Sequence, residues 1–266
     1  MGKKLTKNKT MNTLDFKLYV GGKGKVVDRS QLATIPTPLP VDRWHPIPHS
    51  TLVEEFEKSL VPHNMKISNE VFKLDKKGQR LFALMQISNC KNDEDFSFVA
   101  GLRNSHDKAV SAGLAVGEGV FVCSNLRFSG EITIGRKHTT SIMDDLPAMI
   151  SGAVGRLALD WDVQAKHVSI YKSKDIGKLE GRNLLVECAK KNVFPRTQLM
   201  DVINEFENPR HMEFKDRNLW SLMNSVTQSL QPRESSSGST LWLLPSRTTK
   251  LNQICNEFAG IPAINV

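Results

Sequence analysis

The feature that most constrains this chain is a change of period near residue 140. From Leu146 onward the apolar residues Leu146, Met149, Ile150, Ala153, Val154, Leu157 and Trp161 recur at offsets 0, 3, 4, 7, 8, 11 and 15. That stripe is one face of an amphipathic helix of four turns or more, and Asp144 and Asp145 stand where the helix dipole favours carboxylates. Before it, apolar runs are short and broken by turn residues. Val71, Phe72 and Leu74 precede Asp75-Lys76-Lys77-Gly78, and Leu81, Phe82, Leu84 and Gln86 follow, which reads as a hairpin. Phe96 to Leu102, Ala109 to Val116, Gly119 to Cys123 and Glu131 to Ile134 continue as strands. A capping box at Thr51–Glu54 predicts a first helix ending before Pro62. After the long helix, further helices are expected around Leu184–Ala189, from Pro195 through Phe206, and over Leu219–Leu230.

The order is helix, sheet, then helices. It predicts an α+β fold with a mostly antiparallel sheet over about 64–135 and a helical C-terminal half packed on it. Four segments are expected: a flexible basic arm over 1–40, a core domain over 41–231, a Ser-rich loop over 232–240, and a strand/helix segment over 241–266 that opens on Leu241-Trp242-Leu243-Leu244. The chain of 266 residues can bury a sizeable core without staples.

Charge bears on partners only through its distribution. Net charge is +8, but residues 1–40 hold eight basic and two acidic side chains, and the remainder is nearly balanced with 28 against 26. The first 40 residues, with Gly21-Gly22-Lys23-Gly24-Lys25 and then Pro36, Pro38 and Pro40, therefore read as a loose arm that touches phosphates or simply aids solubility. The glycine run is not a phosphate loop, because Tyr19 stands where its first glycine is needed and Val26 follows Lys25. Cys90, Cys123, Cys188 and Cys255 lie 33, 65 and 67 positions apart, which is neither a disulfide framework nor a zinc spacing, and predicts free thiols in a reducing cytoplasm. No apolar run is long enough for a membrane span, and the lysine-rich first 15 residues have no apolar core of a secretory signal.

The densest polar cluster is Arg103-Asn104-Ser105-His106-Asp107. A nucleophilic reading of Ser105 with His106 and Asp107 fails on geometry, since consecutive side chains diverge whereas a triad converges from separate segments. A metal reading unites His106, Asp107 and His138, yet their spacing matches no known ligand pattern. A structural reading has Asn104, Ser105 and Asp107 bonding local backbone in a turn, with His106 donating to a carbonyl. A second cluster, Arg136-Lys137-His138-Thr139, precedes the long helix and offers cations beside free amides. Arg127 beside Phe128 pairs a cation with a stacking ring.

Three segments resemble one family. They are Gly101-Leu102-Arg103-Asn104-Ser105-His106-Asp107-Lys108, Val120-Phe121-Val122-Cys123-Ser124-Asn125-Leu126-Arg127-Phe128-Ser129-Gly130, and Arg136-Lys137-His138-Thr139. The chain is similar through them, from about Val41 to Leu230, to phage/plasmid-like proteins built on a prokaryotic domain of unknown function (number nine hundred thirty-two). Asp144-Asp145-Leu146-Pro147 and Leu219 to Thr227 extend the resemblance, and Ser124 departs from it where an acidic residue is expected. The resemblance implies a protein of a mobile element in the bacterial host cytoplasm and supplies no activity.

The expectation that follows is a nucleic-acid-binding accessory protein, acting on single-stranded DNA in recombination or replication, as a homo-oligomer and without a cofactor. Its contact residues would be Arg103, Asn104, His106, Arg127, Phe128, Arg136, Lys137 and His138, with Lys23 and Lys25 of the arm. The alternatives are an effector that binds a host defence or replication protein, and a metal- or nucleotide-dependent hydrolase using His106, Asp107 and His138.

Overall fold

The computed structural model describes residues 13–16, 24–88, 96–120, 125–127, 133–231 and 239–262. Strands β1 (Lys25–Val27), β2 (Lys66–Leu74), β3 (Arg80–Ser88), β4 (Phe96–Ser105) and β5 (Ala112–Val120) pair antiparallel in sequence order. The two short strands β6 (Leu126–Arg127) and β7 (Thr133–Arg136) both pair with β5, at its end and its start respectively. The helices are α1 (Arg29–Ala33), α2 (His49–Leu60), α3 (Ile142–Ser173), α4 (Lys178–Lys190), α5 (Leu199–Glu207), α6 (Leu219–Leu230) and α7 (Ser239–Ala259). The α+β class and the antiparallel sheet stand as expected. Among the described residues no helix is long and apolar enough to cross a membrane.

Both faces of the sheet are covered, and the strands show it by alternation. Ala83 and Met85 join Leu52 and Phe56 of α2 and Ile150 and Leu157 of α3 in one core. Leu84, one residue out of phase, joins Val226 of α6 and Leu251 of α7 in another. A strand buried on both faces has no polar side to display, so β3 and β4 read as nearly unbroken apolar runs. Helix α3 feeds both cores. Its first half supplies the predicted stripe to one, and Val168 and Tyr171 near its end serve the other. Trp161 sits between the halves, edge-on to Phe98 at 4.6 Å. The thiols of Cys188 and Cys255 are free and buried, and burial pushes that of Cys188 up to about 12.

Three expectations need correction. The body begins before Val41: β1 extends the sheet, Leu14, Phe16 and Leu32 are buried, and Arg29 holds Glu70 through two bonds of 2.6 Å. Asp28 and Gln31 cap α1 reciprocally, so this stretch has a helix signal that the surrounding glycines and lysines obscure. Helix α2 starts at His49, behind Pro48, which puts Thr51 and Glu54 inside it rather than at its cap. Leu241–Leu244 belong to α7 rather than to a strand. Of the Ser-rich stretch, residues 232–238 lie outside the described residues, as do Cys90 and Cys123.

Among the described residues a single ion pair is fully enclosed. Arg127 on β6 donates from Nε to Glu118 of β5 at 2.7 Å, and the two side chains are 3% and 2% exposed. Its Nη1 donates to Asn252 and to the Met223 sulfur, both at 3.0 Å, and the guanidinium lies 5.8 Å from the Tyr171 ring and 5.9 Å from that of Trp220. Burial raises the Glu118 carboxyl above its ordinary range, and the guanidinium opposes that rise. The pair ties β5 and β6 to α6 and α7. Arg127→Met leaves a buried carboxylate without its partner and should cost about 3–5 kcal/mol in urea denaturation. The double variant E118L/R127M should recover most of that loss, and a mild effect of R127M alone would mean that water reaches Glu118.

Candidate nucleic-acid interface

The two polar clusters of the sequence do converge, but inside the protein. Asn104, at the end of β4, is 0% exposed, and His49, His106 and His138 are 1%, 4% and 6% exposed. The Asn104 amide nitrogen donates to the Ile47 carbonyl at 2.9 Å and to Nδ1 of His49 at 3.0 Å. Its oxygen accepts from Nε2 of His138 at 2.7 Å. His106 Nε2 donates to the same Ile47 carbonyl at 2.9 Å, and His49 Nε2 donates to the Gly78 carbonyl at 3.2 Å. The His49 and His106 rings stack at 3.9 Å with 2° between planes.

This pattern fixes protonation. An amide nitrogen only donates, so the His49 Nδ1 facing it is a bare acceptor and the ring is neutral. Turning the amide over would set its oxygen against the Ile47 carbonyl. Burial, followed by the neighbouring His106, lowers the His49 pKa to about 4. Burial and the same neighbour lower that of His138.

The cluster fastens four segments: the stretch before α2 through Ile47, the β2–β3 turn through Gly78, the end of β4, and the β7–α3 connection through His138. The turns it fastens are closed locally. Asp75 accepts from the amides of Gln79 and Arg80 at 2.6 and 3.1 Å. Ser105 both donates to the Val110 carbonyl and accepts from its amide, at 2.7 and 3.1 Å. Asp107 accepts from the Ala109 amide and binds Arg80 at 2.6 Å. These contacts match the structural reading for Ser105, Asp107 and His106, but not for Asn104, whose amide bonds distant Ile47, His49 and His138 instead of local backbone. They do not assemble the hydrolytic set, because Asp107 turns to Arg80 while His106 and His138 spend Nε2 on hydrogen bonds. Among the described residues no three His, Cys, Asp or Glu side chains stand close enough to hold a metal ion.

The expected contact residues are therefore not on one surface. Asn104, His106 and His138 are framework, and Arg127 is the enclosed partner of Glu118. Arg136 on β7 pairs with Asp145 and donates to Ser141 at 2.9 Å, on the α3 side of the sheet. Arg103 points to the opposite side, where α7 packs. Phe128 and Lys23 lie outside the described residues. Lys25 and Lys137 are exposed as expected.

What sequence reasoning missed is a row of cations on one end of the sheet. The β2–β3 turn, the β4–β5 turn, the end of β7 and the start of β1 all lie at that end, directly over the histidine cluster. Lys76, Lys77, Lys108 and Lys137 are exposed there. Lys108 holds a left-handed backbone (φ 64°) and stands 5.0 Å over the half-buried Trp44 ring. A groove of about 420 Å³ between the β2–β3 turn and α1 is lined by Lys25, Lys76 and Lys77 with Asp75. Two of the carboxylates nearby are engaged, Asp75 by backbone amides and Asp107 by Arg80. Hairpin assignment was enough to find this row, because antiparallel order brings alternate turns to one end. No family model, no curated protein and no solved structure matches this chain.

The cluster makes stability depend on pH in a definite window. Above pH ~6.5 neither the folded nor the unfolded chain protonates His49. Between there and about 4 only the unfolded chain takes up the proton, so folding loses up to about 3 kcal/mol from His49, with His138 acting in the same direction. The urea midpoint should be flat from pH 8 to 7 and fall steadily below 6.5. His49→Gln, which cannot take up a proton, should be less stable at neutral pH yet show a shallower fall. An equally steep fall in that variant would place the pH dependence elsewhere.

Proposed function

We propose that the protein binds the phosphate backbone of single-stranded nucleic acid along the end of the sheet formed by the β1 start, the β2–β3 and β4–β5 turns, and the β7–α3 connection. The observation that carries this reading is the row of exposed Lys25, Lys76, Lys77, Lys108 and Lys137, with Asp75 and Asp107 already engaged. From β1 to β7 the row crosses five strand spacings, roughly 24 Å, which spans several phosphates. Trp44 beneath Lys108 adds an aromatic face next to a cation, the pairing that stacks a base while holding its phosphate.

Affinity from such a row is electrostatic and independent of sequence, as suits an accessory factor of a mobile element, the setting that the family resemblance implies.

The test is fluorescence anisotropy with a labelled single-stranded oligonucleotide over a salt series. Replacing Lys76, Lys77 and Lys137 by Ala should lower affinity at least tenfold at 50 mM salt. It should also reduce the log–log salt slope by about 2, at ~0.7 per lost phosphate contact. An unchanged slope in the triple variant, or no salt dependence in the parent, would refute the assignment.

A further inference from the structure

On the other side of the sheet, between β3–β5 and α7, lies a cavity of about 580 Å³. We propose that it is a binding site for a small amphipathic anion, whose apolar body enters between sheet and helix while its acid group lies by Arg103 and Lys250. The volume is in the range of roughly 300–1,000 Å³ typical of small-molecule sites. Phe82, Leu84 and Leu126 form apolar walls on the sheet side, and Leu244 and Pro245 close it from α7.

The space comes from the sequence of β5 and its neighbour. On this face β5 presents Gly113 and Ala115, opposite Arg103 and Gly101 of β4, so helix α7 meets bare backbone rather than side chains. Gly113 has a specific purpose. A Cβ there would lie 3.0 Å from Nε of Arg103 and 3.2 Å from the Ile134 carbonyl, so its absence lets the arginine lie across β5 along the cavity wall. From that position Arg103 donates to Ser111 at 3.3 Å. Farther along the same strand the small residues are covered instead: a Cβ on Gly119 would strike Leu14 at 2.4 Å. The strand thus fills one stretch of its small-residue face with Leu14 and leaves the other open.

Charge selects the ligand class. Both charged side chains among the described residues lining the cavity are cations, Arg103 from the sheet and Lys250 from α7, and no carboxylate lines it. The hydroxyl of Thr249, also on the wall, is turned back to the Pro245 carbonyl at 2.8 Å. An apolar enclosure with two basic groups fits a carboxylate or phosphate ester carrying an aliphatic or aromatic body, and disfavours an amphipathic cation.

The experiment uses dodecanoate below its micellar concentration, with dodecyltrimethylammonium as the cation of equal chain length, read by calorimetric titration and by thermal unfolding on the full chain. Dodecanoate should bind with 1:1 stoichiometry and raise Tm, and the cationic amphiphile should do neither. Lys250→Glu should weaken dodecanoate binding at least tenfold. Ala115→Phe, which fills the floor, should abolish it, and Ser246→Phe, at a solvent-reaching position of α7 that lines the cavity, serves the same purpose if the first variant does not fold. Equal binding of the two amphiphiles would overturn the assignment, as would parental affinity in K250E or in the folded cavity-filling variant. None of these outcomes bears on the lysines at the sheet end, so the two sites stand or fall separately.

Discussion

The arrangement of loops at one end of the sheet depends on a single carboxamide. Asn104 gives its nitrogen to Ile47 and His49 and its oxygen to His138, joining segments 57, 55 and 34 residues away in sequence. None of these partners has water as an alternative, because each is buried. An unmade hydrogen bond at such a site costs the desolvation of the group, about 1–3 kcal/mol apiece, which far exceeds the net worth of the bond when made. The network therefore acts less as a source of stability than as a condition. With all members satisfied, the β2–β3 turn, the stretch before α2 and the β7–α3 connection have one placement. The lysines on those segments inherit that placement, and the row of cations rests on the buried histidine cluster that holds the loops in register.

Buried charge plays the corresponding part on the other side. Glu118 and Arg127 are enclosed near the point where β5 gives way to β6, and the guanidinium also reaches α6 and α7 through Met223 and Asn252. Arginine suits this position because its donors are spread in a plane and it cannot shed its proton to escape burial. The pair gives direction to an interface that would otherwise be apolar and could slide. It also explains why a basic residue in a conspicuous motif has nothing to do with phosphate: its charge is spent inside.

The period of the apolar residues made the sheet, the hairpin turn and the long helix legible, because one face or both had to be buried. Helix α7 was not legible for the same reason in reverse. Leu241-Trp242-Leu243-Leu244 is continuously apolar, which carries no period, and Pro245 four positions on reads as a stop although it stands within the helix. Strand β1 was hidden by composition, since Gly24 and Lys25 suggest a solvated arm while the pairing that orders them comes from β2. The candidate site was legible only as far as its chemistry. The clusters around Asn104 and His138 were visible as unusual, but their partner His49 sits at a helix start among prolines and hydroxyl residues, 55 residues from Asn104, with nothing in its surroundings to link it to them. Whether such residues face water or one another is decided by contacts across dozens of residues, which spacing does not encode.

The alternation of strands resolves what the dense motif on β4 is for. Arg103 and Asn104 are adjacent, so the pleat sends them to opposite layers. Arg103 goes toward α7 and the cavity, and Asn104 goes toward α2 and the histidines. Ser105 closes the turn, His106 continues the buried cluster past the strand end, and Asp107 emerges to meet Arg80 at the surface. Five consecutive polar residues thus serve four separate environments. Their concentration in sequence reflects the crowding of structural demands where a strand leaves a doubly covered sheet, and function has to be sought on the two surfaces that this framework holds in place.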